Sequence, residues 1–91
     1  MDRNEQIAAT IRDVCRREEL LAGAPDDQDF FECGVSSLAV IHMQIRLEEA
    51  LNITVPTGEL MAQSTINDWI RLFTRQASAT MDLPYGRASE G

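Results

Sequence analysis

Helical spacing of the apolar residues is the feature that most constrains the fold of this 91-residue chain. Near its C-terminal end four apolar residues recur at i, i+3, i+4 and i+7, the spacing of one helix face: Ile66, Trp69, Ile70 and Phe73. No segment alternates apolar and polar residues over a length that would predict a strand. The chain is therefore expected to be all-α.

Two earlier segments have the same helical character. In residues 4–20 the apolar side chains again fall at helical spacing, so this segment is predicted to be an amphipathic helix, which Gly23 and Pro25 end. A second helix is predicted from Ser36 to about Leu51, because this segment contains neither glycine nor proline.

The remainder of the chain is divided by its turn residues. Asn52 favours a left-handed exit from the second helix, and Pro56 prevents that helix from continuing. Residues 57–62 are expected to form at most a short helical turn, and residues 64–76 the last helix. The cap of this last helix is one of two neighbouring hydroxyl residues, Ser64 or Thr65.

The predicted fold is a small four-helix bundle of three main helices and one short helix, formed by residues 1–76. Residues 77–91 are predicted to be a disordered tail, because they are small, polar and broken by Pro84 and Gly86. Phe30 and Phe31 are expected to anchor the loop between the first two helices. The core is expected to comprise nine residues: Ile11, Val14, Phe30, Val40, Leu47, Leu51, Ile66, Ile70 and Phe73.

The second helix carries apolar residues on two sides. Leu47 and Leu51 lie within about 20° of Val40 around the helix, which makes an ordinary core stripe. A second set lies between about 100° and 160° from Val40 and is continued by two acids. This docking face consists of Leu38, Ile41, Ile45, Glu48 and Glu49. The docking face would also be explained if the helix were packed on both sides. So small a bundle has few elements to cover both faces, however, and an exposed interaction surface is preferred.

The negative charge is concentrated in the middle of the chain. The net charge is −7, and residues 22–55 hold six acids against Arg46 alone. Such a field disfavours nucleic acid and anionic membrane as partners and favours basic protein surfaces. The chain has no apolar run of the roughly 18 residues that a membrane span needs and no signal peptide, so a cytoplasmic protein is expected. It is also expected to be a monomer.

The two cysteines, Cys15 and Cys33, are expected to be free thiols. Only His42 could join them as a metal ligand, and the spacing of the three matches no metal site. A disulfide would be unusual in a reducing cytosol.

A pair of serines stands where the second helix begins. Ser36 is placed to cap the helix, and Ser37 then falls at the first helical position. A phosphate attached to Ser37 would be stabilised by free backbone amides and by the helix dipole.

The segment "DFFECGVSSLAVIHMQIRLEEALNITVP" resembles the centre of acyl and peptidyl carrier proteins. Their signature joins a Phe-Phe-Glu-Leu-Gly-Gly-Asp-Ser-Leu stretch to an acidic "LEEE"-like helix end and a hydrophobic-Pro pair. The matching positions are Phe30, Phe31, Glu32, Gly34, Ser37, Leu38, Leu47, Glu48, Glu49, Val55 and Pro56. The resemblance extends over residues 4–76. Three positions differ: Cys33 stands for the leucine, Val35 for the second glycine and Ser36 for the aspartate.

The resemblance implies a role for each part of this segment. A phosphopantetheinyl transferase would attach 4′-phosphopantetheine from coenzyme A to Ser37, beside the capping Ser36. Cargo would be held on the thiol of that group as a thioester. Leu38, Ile41 and Ile45 would contact partner enzymes, with Glu48 and Glu49 meeting basic patches on them. In carrier proteins the aspartate before the modified serine adds negative charge near the magnesium of the transferase.

The cargo implied is an amino acid. A free-standing chain with serine before the modified serine is similar to aminoacyl carrier proteins, which an ATP-dependent ligase resembling a truncated aminoacyl-tRNA synthetase loads for a downstream acceptor enzyme. A fatty-acid or polyketide carrier is the alternative. An acidic helical adaptor that is never modified is a second alternative.

Catalysis by the chain itself is not expected. "GVSSL" resembles a nucleophile elbow, G-x-S-x-G, but Leu38 stands at the last glycine, and the α/β sheet that such a serine requires is absent from the pattern. His42 lies about 140° around the helix from Ser37 and is not placed to act as its base.

Overall fold

The computed structural model describes residues 2–82, which form four α-helices and, within that range, no β-strand. The helices are α1 (Arg3–Arg16), α2 (Ser37–Leu51), α3 (Thr57–Ala62) and α4 (Ile66–Asp82). α1 packs against both α2 and α4, and α3 packs against α2. Two single 3₁₀ turns, Glu19–Leu21 and Phe31–Cys33, interrupt the loop from α1 to α2. The predicted all-α architecture, with three main helices and one short helix, is confirmed.

α1 begins with a capping box and ends earlier than predicted. The Asp2 carboxylate accepts from the Glu5 N–H at 2.8 Å, and the Glu5 carboxylate accepts from the Asp2 N–H. The α-helix stops at Arg16 rather than residue 20, because Glu18 adopts an extended backbone conformation. This change of direction places Leu21 in the core, fully buried, at the end of the following 3₁₀ turn.

α2 has the boundaries that its sequence predicts. The Ser36 hydroxyl accepts from the Ala39 N–H at 3.1 Å and caps the helix. At the other end Asn52 is left-handed, with φ of 58°, and its N–H donates to the Glu48 carbonyl at 2.8 Å. Asparagine tolerates this conformation better than most residues, so a non-glycine side chain is accommodated here.

α4 is longer than predicted. The Thr65 hydroxyl accepts from the Asp68 N–H at 2.9 Å, which makes Thr65 the capping residue. The helix continues past Gln76 to Asp82 and so enters the segment that was predicted to be a tail. Ala77 is buried and extends the apolar stripe one turn beyond Phe73, and no glycine or proline occurs before Pro84 to stop the helix. The remainder of the predicted tail, residues 83–91, lies outside the described residues.

Ile70 was predicted to be a core residue and its neighbour Trp69 was not, yet the core contains Trp69. The Trp69 side chain is fully buried, packs edge-to-face against Phe30 with ring centroids 4.9 Å apart, and donates from Nε1 to the Leu60 carbonyl at 2.9 Å. Ile70 is only partly buried at the edge of the core. The other eight predicted core residues are buried.

Candidate functional site

The loop that leads to the serine pair is fastened to α1 by arginines. The Arg16 guanidinium donates to the Leu21 carbonyl at 3.0 Å, to the Ala24 carbonyl and to the Asp26 carboxylate at 2.5 Å. Arg12 forms a second ion pair with Asp26 at 3.0 Å. These charge-assisted bonds fix where the loop leaves α1.

Asp29 organises the second half of the loop. One carboxylate oxygen accepts from the N–H groups of Phe31 and Glu32, at 2.8 and 3.1 Å, and so starts the 3₁₀ turn Phe31–Cys33. The other oxygen accepts from the Ser64 hydroxyl at 3.0 Å. The Phe30 N–H donates to the Ser64 carbonyl at 2.8 Å, so this turn is attached to the residues that precede α4.

Gly34 and Val35 bring the chain from this turn to the start of α2. Gly34 has φ of 94°, a conformation that strongly favours glycine. Val35 has no positive φ, is 3% exposed and joins the core. The backbone therefore requires glycine only at the first of these two positions, and valine at the second adds buried apolar surface.

Ser36 and Ser37 have separate roles in the geometry. The Ser36 hydroxyl is occupied by the Ala39 N–H, whereas the Ser37 side chain is exposed and forms no hydrogen bond within residues 2–82. The N–H groups of Ser37 and Leu38 precede the first residue with an intrahelical acceptor, so both remain available at the helix end. The first turn of α2 contains no acidic residue that would repel an anion.

The docking face is exposed, but not uniformly. Leu38 is 63% exposed and Ile45 47%, whereas Ile41 is half-buried. Among the described residues the other exposed large apolar side chains are Leu20 and Phe31. Leu20 lies against Gly34, with its Cδ1 3.7 Å from the position of a Cβ there. Phe31 was expected in the core, but the 3₁₀ turn that Asp29 caps directs its side chain outward. No spacing rule in the sequence predicts that Phe31 is exposed.

The acids of the middle segment are used in two ways. Asp26 and Asp29 are engaged in the contacts that hold the loop. Glu49 is exposed, and Glu48 is partly buried and accepts from the Gln44 amide at 3.1 Å. The negative field of α2 therefore comes from Glu48 and Glu49, on the helix that carries the docking face.

The Cys15 thiol does not have the surroundings of a reactive group. Burial, reinforced by Asp26 and opposed by Arg16, raises the pKa of the Cys15 thiol to about 12. Cys33 is half-buried against the core, and His42 is exposed on α2. Within residues 2–82 no three potential metal ligands among His, Cys, Asp and Glu come together.

A helical bundle that presents a free serine at a helix N-terminus, with exposed apolar residues and carboxylates along the same helix, has the arrangement of a carrier domain. The family described as the phosphopantetheine attachment site matches residues 5–73, and the chain belongs to this family. No curated protein and no solved structure matches the chain significantly. Carrier domains of this family bear covalent 4′-phosphopantetheine, are modified by a phosphopantetheinyl transferase, deliver cargo to partner enzymes and perform no catalysis themselves.

The start of α2 fits this prosthetic group. A phosphodiester needs an exposed hydroxyl, nearby N–H donors and the positive end of a helix dipole, and the N-terminus of α2 supplies all three. When bound, the group supplies a thiol at the end of a flexible arm.

None of the helices described is both long and apolar enough to cross a membrane.

Proposed function

We propose that this chain bears 4′-phosphopantetheine on Ser37 and holds an amino acid on it as a thioester for partner enzymes. The single observation that carries the attachment site is the difference between the two serines. The Ser36 hydroxyl is engaged in the cap, and the Ser37 hydroxyl is exposed and without a partner among the described residues. A transferase therefore meets one free hydroxyl at this helix end.

Ser36 replaces the aspartate of the family signature and still caps α2. Serine and aspartate are about equally good N-caps, so α2 starts at the same residue with either. Serine lacks the negative charge of aspartate. We therefore expect slower modification of Ser37 by a transferase that uses this charge near its magnesium. Ser36→Asp is the matched variant for this point and should be modified faster than the wild type.

The docking face is proposed to receive the loading ligase, the transferase and the acceptor enzyme. Leu38 and Ile45 provide exposed apolar area close to Ser37 along the chain, which a partner can cover while it reaches the thiol. Glu48 and Glu49 are proposed to meet basic residues of the partner and accelerate encounter.

An amino acid is favoured as cargo over a long acyl chain by the resemblance to aminoacyl carrier proteins, and the packed core agrees with a small cargo. Phe30, Trp69 and Phe73 are fully buried and occupy the interior. The depressions that we find on residues 2–79 are open to solvent. A long acyl chain held by this bundle would leave much of its apolar surface in water, whereas a polar amino acid needs no such cover. An ATP-dependent ligase resembling a truncated aminoacyl-tRNA synthetase is the proposed loading enzyme.

Intact mass after coexpression with a phosphopantetheinyl transferase tests the attachment site. The wild type and Ser36→Ala should each gain one phosphopantetheinyl group, and Ser37→Ala should gain none. A wild type that keeps the mass of the bare polypeptide would support the unmodified adaptor. Addition to Ser37→Ala would refute Ser37 as the site.

Mass spectrometry of the protein from its native cell, with thioesters preserved, tests the cargo. An added aminoacyl mass supports the proposal, and a fatty-acyl or polyketide mass overturns the cargo while leaving the carrier function intact. Hydroxylamine should release the added mass, since it cleaves thioesters.

A further inference from the structure

Two exposed apolar side chains of the loop between α1 and α2 lie outside the docking face. Leu20, in the first 3₁₀ turn, is 52% exposed, and Phe31, in the second, is 37% exposed. Together they form the loop patch. Within residues 2–82 the other exposed large apolar side chains are Leu38 and Ile45 on α2. The large exposed apolar side chains of the described chain are thus confined to the loop before Ser37 and the helix that Ser37 begins.

The two members of the loop patch meet at Gly34, close to Ser37. The Leu20 side chain lies against Gly34, with Cδ1 3.7 Å from the position of a Cβ there. The Gly34 N–H donates to the Phe31 carbonyl at 3.0 Å, so Phe31 belongs to the same turn. From Gly34 to Ser37 is three residues, which a fully extended chain spans in at most about 11 Å. Folding therefore brings Leu20, which is distant in sequence, near Ser37.

The surroundings of the loop patch are acidic. Glu19 and Glu32 are the sequence neighbours of its two members, and both are exposed. Residues 18–45 contain six acids and neither lysine nor arginine. The arginines that precede this stretch, Arg16 and Arg17, are each paired with an aspartate. A partner that covers the loop patch therefore needs apolar side chains with basic residues beside them.

The phosphopantetheinyl transferase is the partner that has to approach this part of the surface. Enzymes that load or unload cargo act on a thiol at the end of a flexible arm and can remain at a distance from the start of α2. The transferase acts on the serine hydroxyl itself, so its active site must enclose the residues around that hydroxyl. A protein interface of standard size covers about 800 Å² on each partner, a disc of roughly 16 Å radius. Gly34 and the side chain that lies against it fall within such an area around Ser37.

We propose that the loop patch, Leu20 and Phe31, is a docking surface for the phosphopantetheinyl transferase. The inference rests on the proposed attachment at Ser37. Apolar side chains of the transferase cover the patch, and basic ones meet Glu19 and Glu32. The transferase then contacts the chain on both sides of Ser37 along the sequence, and these contacts fix the direction from which it approaches the hydroxyl. Enzymes that act on the thiol do not require the loop patch.

Calorimetric titration of the Ser37→Ala chain with a broad-specificity phosphopantetheinyl transferase, coenzyme A and Mg²⁺ tests the loop patch. This variant cannot be modified at residue 37, so the titration measures binding alone. Leu20→Ser in this background should weaken binding about three- to tenfold, because about half of a leucine side chain is no longer buried in the interface. Phe31→Ser is a second, independent variant and should also weaken binding. Leu20→Met keeps the apolar surface and should bind within about twofold of its parent.

Gln76→Ser is the matched control, because it removes an exposed side chain outside the loop patch. The Phe30 N–H donates to the Ser64 carbonyl, which attaches the loop to the start of α4. Gln76 lies about 15 Å further along that helix. Its substitution should leave the affinity unchanged. Circular dichroism and thermal unfolding establish that each variant keeps the fold.

Four outcomes would overturn the proposal. The Ser37→Ala chain could fail to bind the transferase, Leu20→Ser and Gln76→Ser could bind equally, or Leu20→Met could lose as much affinity as Leu20→Ser. The NMR signals of Leu20 and Phe31 could also shift on attachment of the prosthetic group while transferase affinity is unchanged in the variants, in which case the arm covers the loop patch.

The titration is independent of mass addition at Ser37, so the two proposals can fail separately. Normal mass addition to the wild type with unchanged binding of Leu20→Ser removes the loop patch alone. Weakened binding of Leu20→Ser without mass addition to the wild type removes the attachment site and keeps the docking surface.

Discussion

The Ser64 hydroxyl donates to the Asp29 carboxylate at 3.0 Å, across 35 residues of sequence. The same carboxylate starts the 3₁₀ turn from which the chain continues into the serine pair. One bond thus connects the entry of α4 to the loop that positions Ser37. Ser64 is 3% exposed, so its hydroxyl has little access to water as a replacement partner.

Loss of this bond should destabilise the protein. We expect Ser64→Ala to lower the free energy of unfolding by about 1.5–3 kcal/mol, the range for a hydrogen bond to a charged group. Urea unfolding followed by circular dichroism measures it. Ser78→Ala is the control, because Ser78 is exposed on α4, and it should change the value by no more than about 0.5 kcal/mol. Equal effects of the two variants would contradict a structural role for the Asp29–Ser64 bond.

The two adjacent serines should differ in stability as well as in modification. Ser36→Ala removes the cap of α2 and should lower the free energy of unfolding by about 1 kcal/mol. Ser37→Ala removes an exposed hydroxyl and should change it by less than about 0.5 kcal/mol. Thermal and urea unfolding of the unmodified variants measure the difference. A larger loss for Ser37→Ala than for Ser36→Ala would mean that the capping residue has been misassigned.

Stability should fall in alkaline solution because of Cys15. Burial raises the pKa of its thiol from 9.0 to about 12 in the folded chain. Between these values the unfolded chain releases the thiol proton and the folded chain retains it, so rising pH favours unfolding. The contribution of Cys15 is fully present below pH 9 and is lost progressively up to about pH 12.

Urea unfolding at a series of pH values measures this effect. Cys15→Val should show a smaller decline of the unfolding free energy over the same window, whatever its stability at neutral pH. If the unfolding free energy declines equally with pH in the wild type and in Cys15→Val, the raised pKa of the Cys15 thiol is contradicted. The folded wild type should also leave Cys15 unmodified by iodoacetamide at pH 8, since the thiolate is the reactive form.

Reversal of the charges on α2 should slow encounter with partners. Glu48→Lys combined with Glu49→Lys should lower the rate of loading by the proposed ligase, on the order of tenfold at low ionic strength. The bundle should remain folded, because positive charge near the C-terminal end of a helix is favourable. Stopped-flow or discontinuous loading assays at several salt concentrations measure the rate.

The salt dependence provides the internal control for the charge reversal. The difference between the wild type and the double variant should shrink as salt is added, because exposed charges are screened. Unchanged loading at low salt would contradict a role for Glu48 and Glu49 in docking.

Much of the fold follows from local sequence patterns. Ser36 and Asn52 mark the two ends of α2 because a hydroxyl caps orphan amides and asparagine tolerates a left-handed conformation. The order of the helices follows from apolar periodicity and from the glycines and prolines between them. The position of Ser37 also follows, since capping by Ser36 places Ser37 at the first helical position, whereas its role as attachment residue stays a prediction from the resemblance.

Other features depend on contacts between residues far apart in the sequence, and no local pattern reveals them. α1 ends at Arg16, and the chain then turns back and places Leu21 in the core. Phe30 is buried against Trp69 while its neighbour Phe31 is exposed, although the two are chemically identical.

The sequence by itself determined that this chain forms helices, where α2 begins and ends, and which serine stands at the first position of α2. Only the tertiary structure decided which of two adjacent phenylalanines fills the core and which acidic residues hold the loop before α2. The physical reason is the separation along the chain over which each interaction acts. Helix caps and apolar periodicity act between residues three or four apart, whereas burial and ion pairing depend on which elements meet once the bundle has closed.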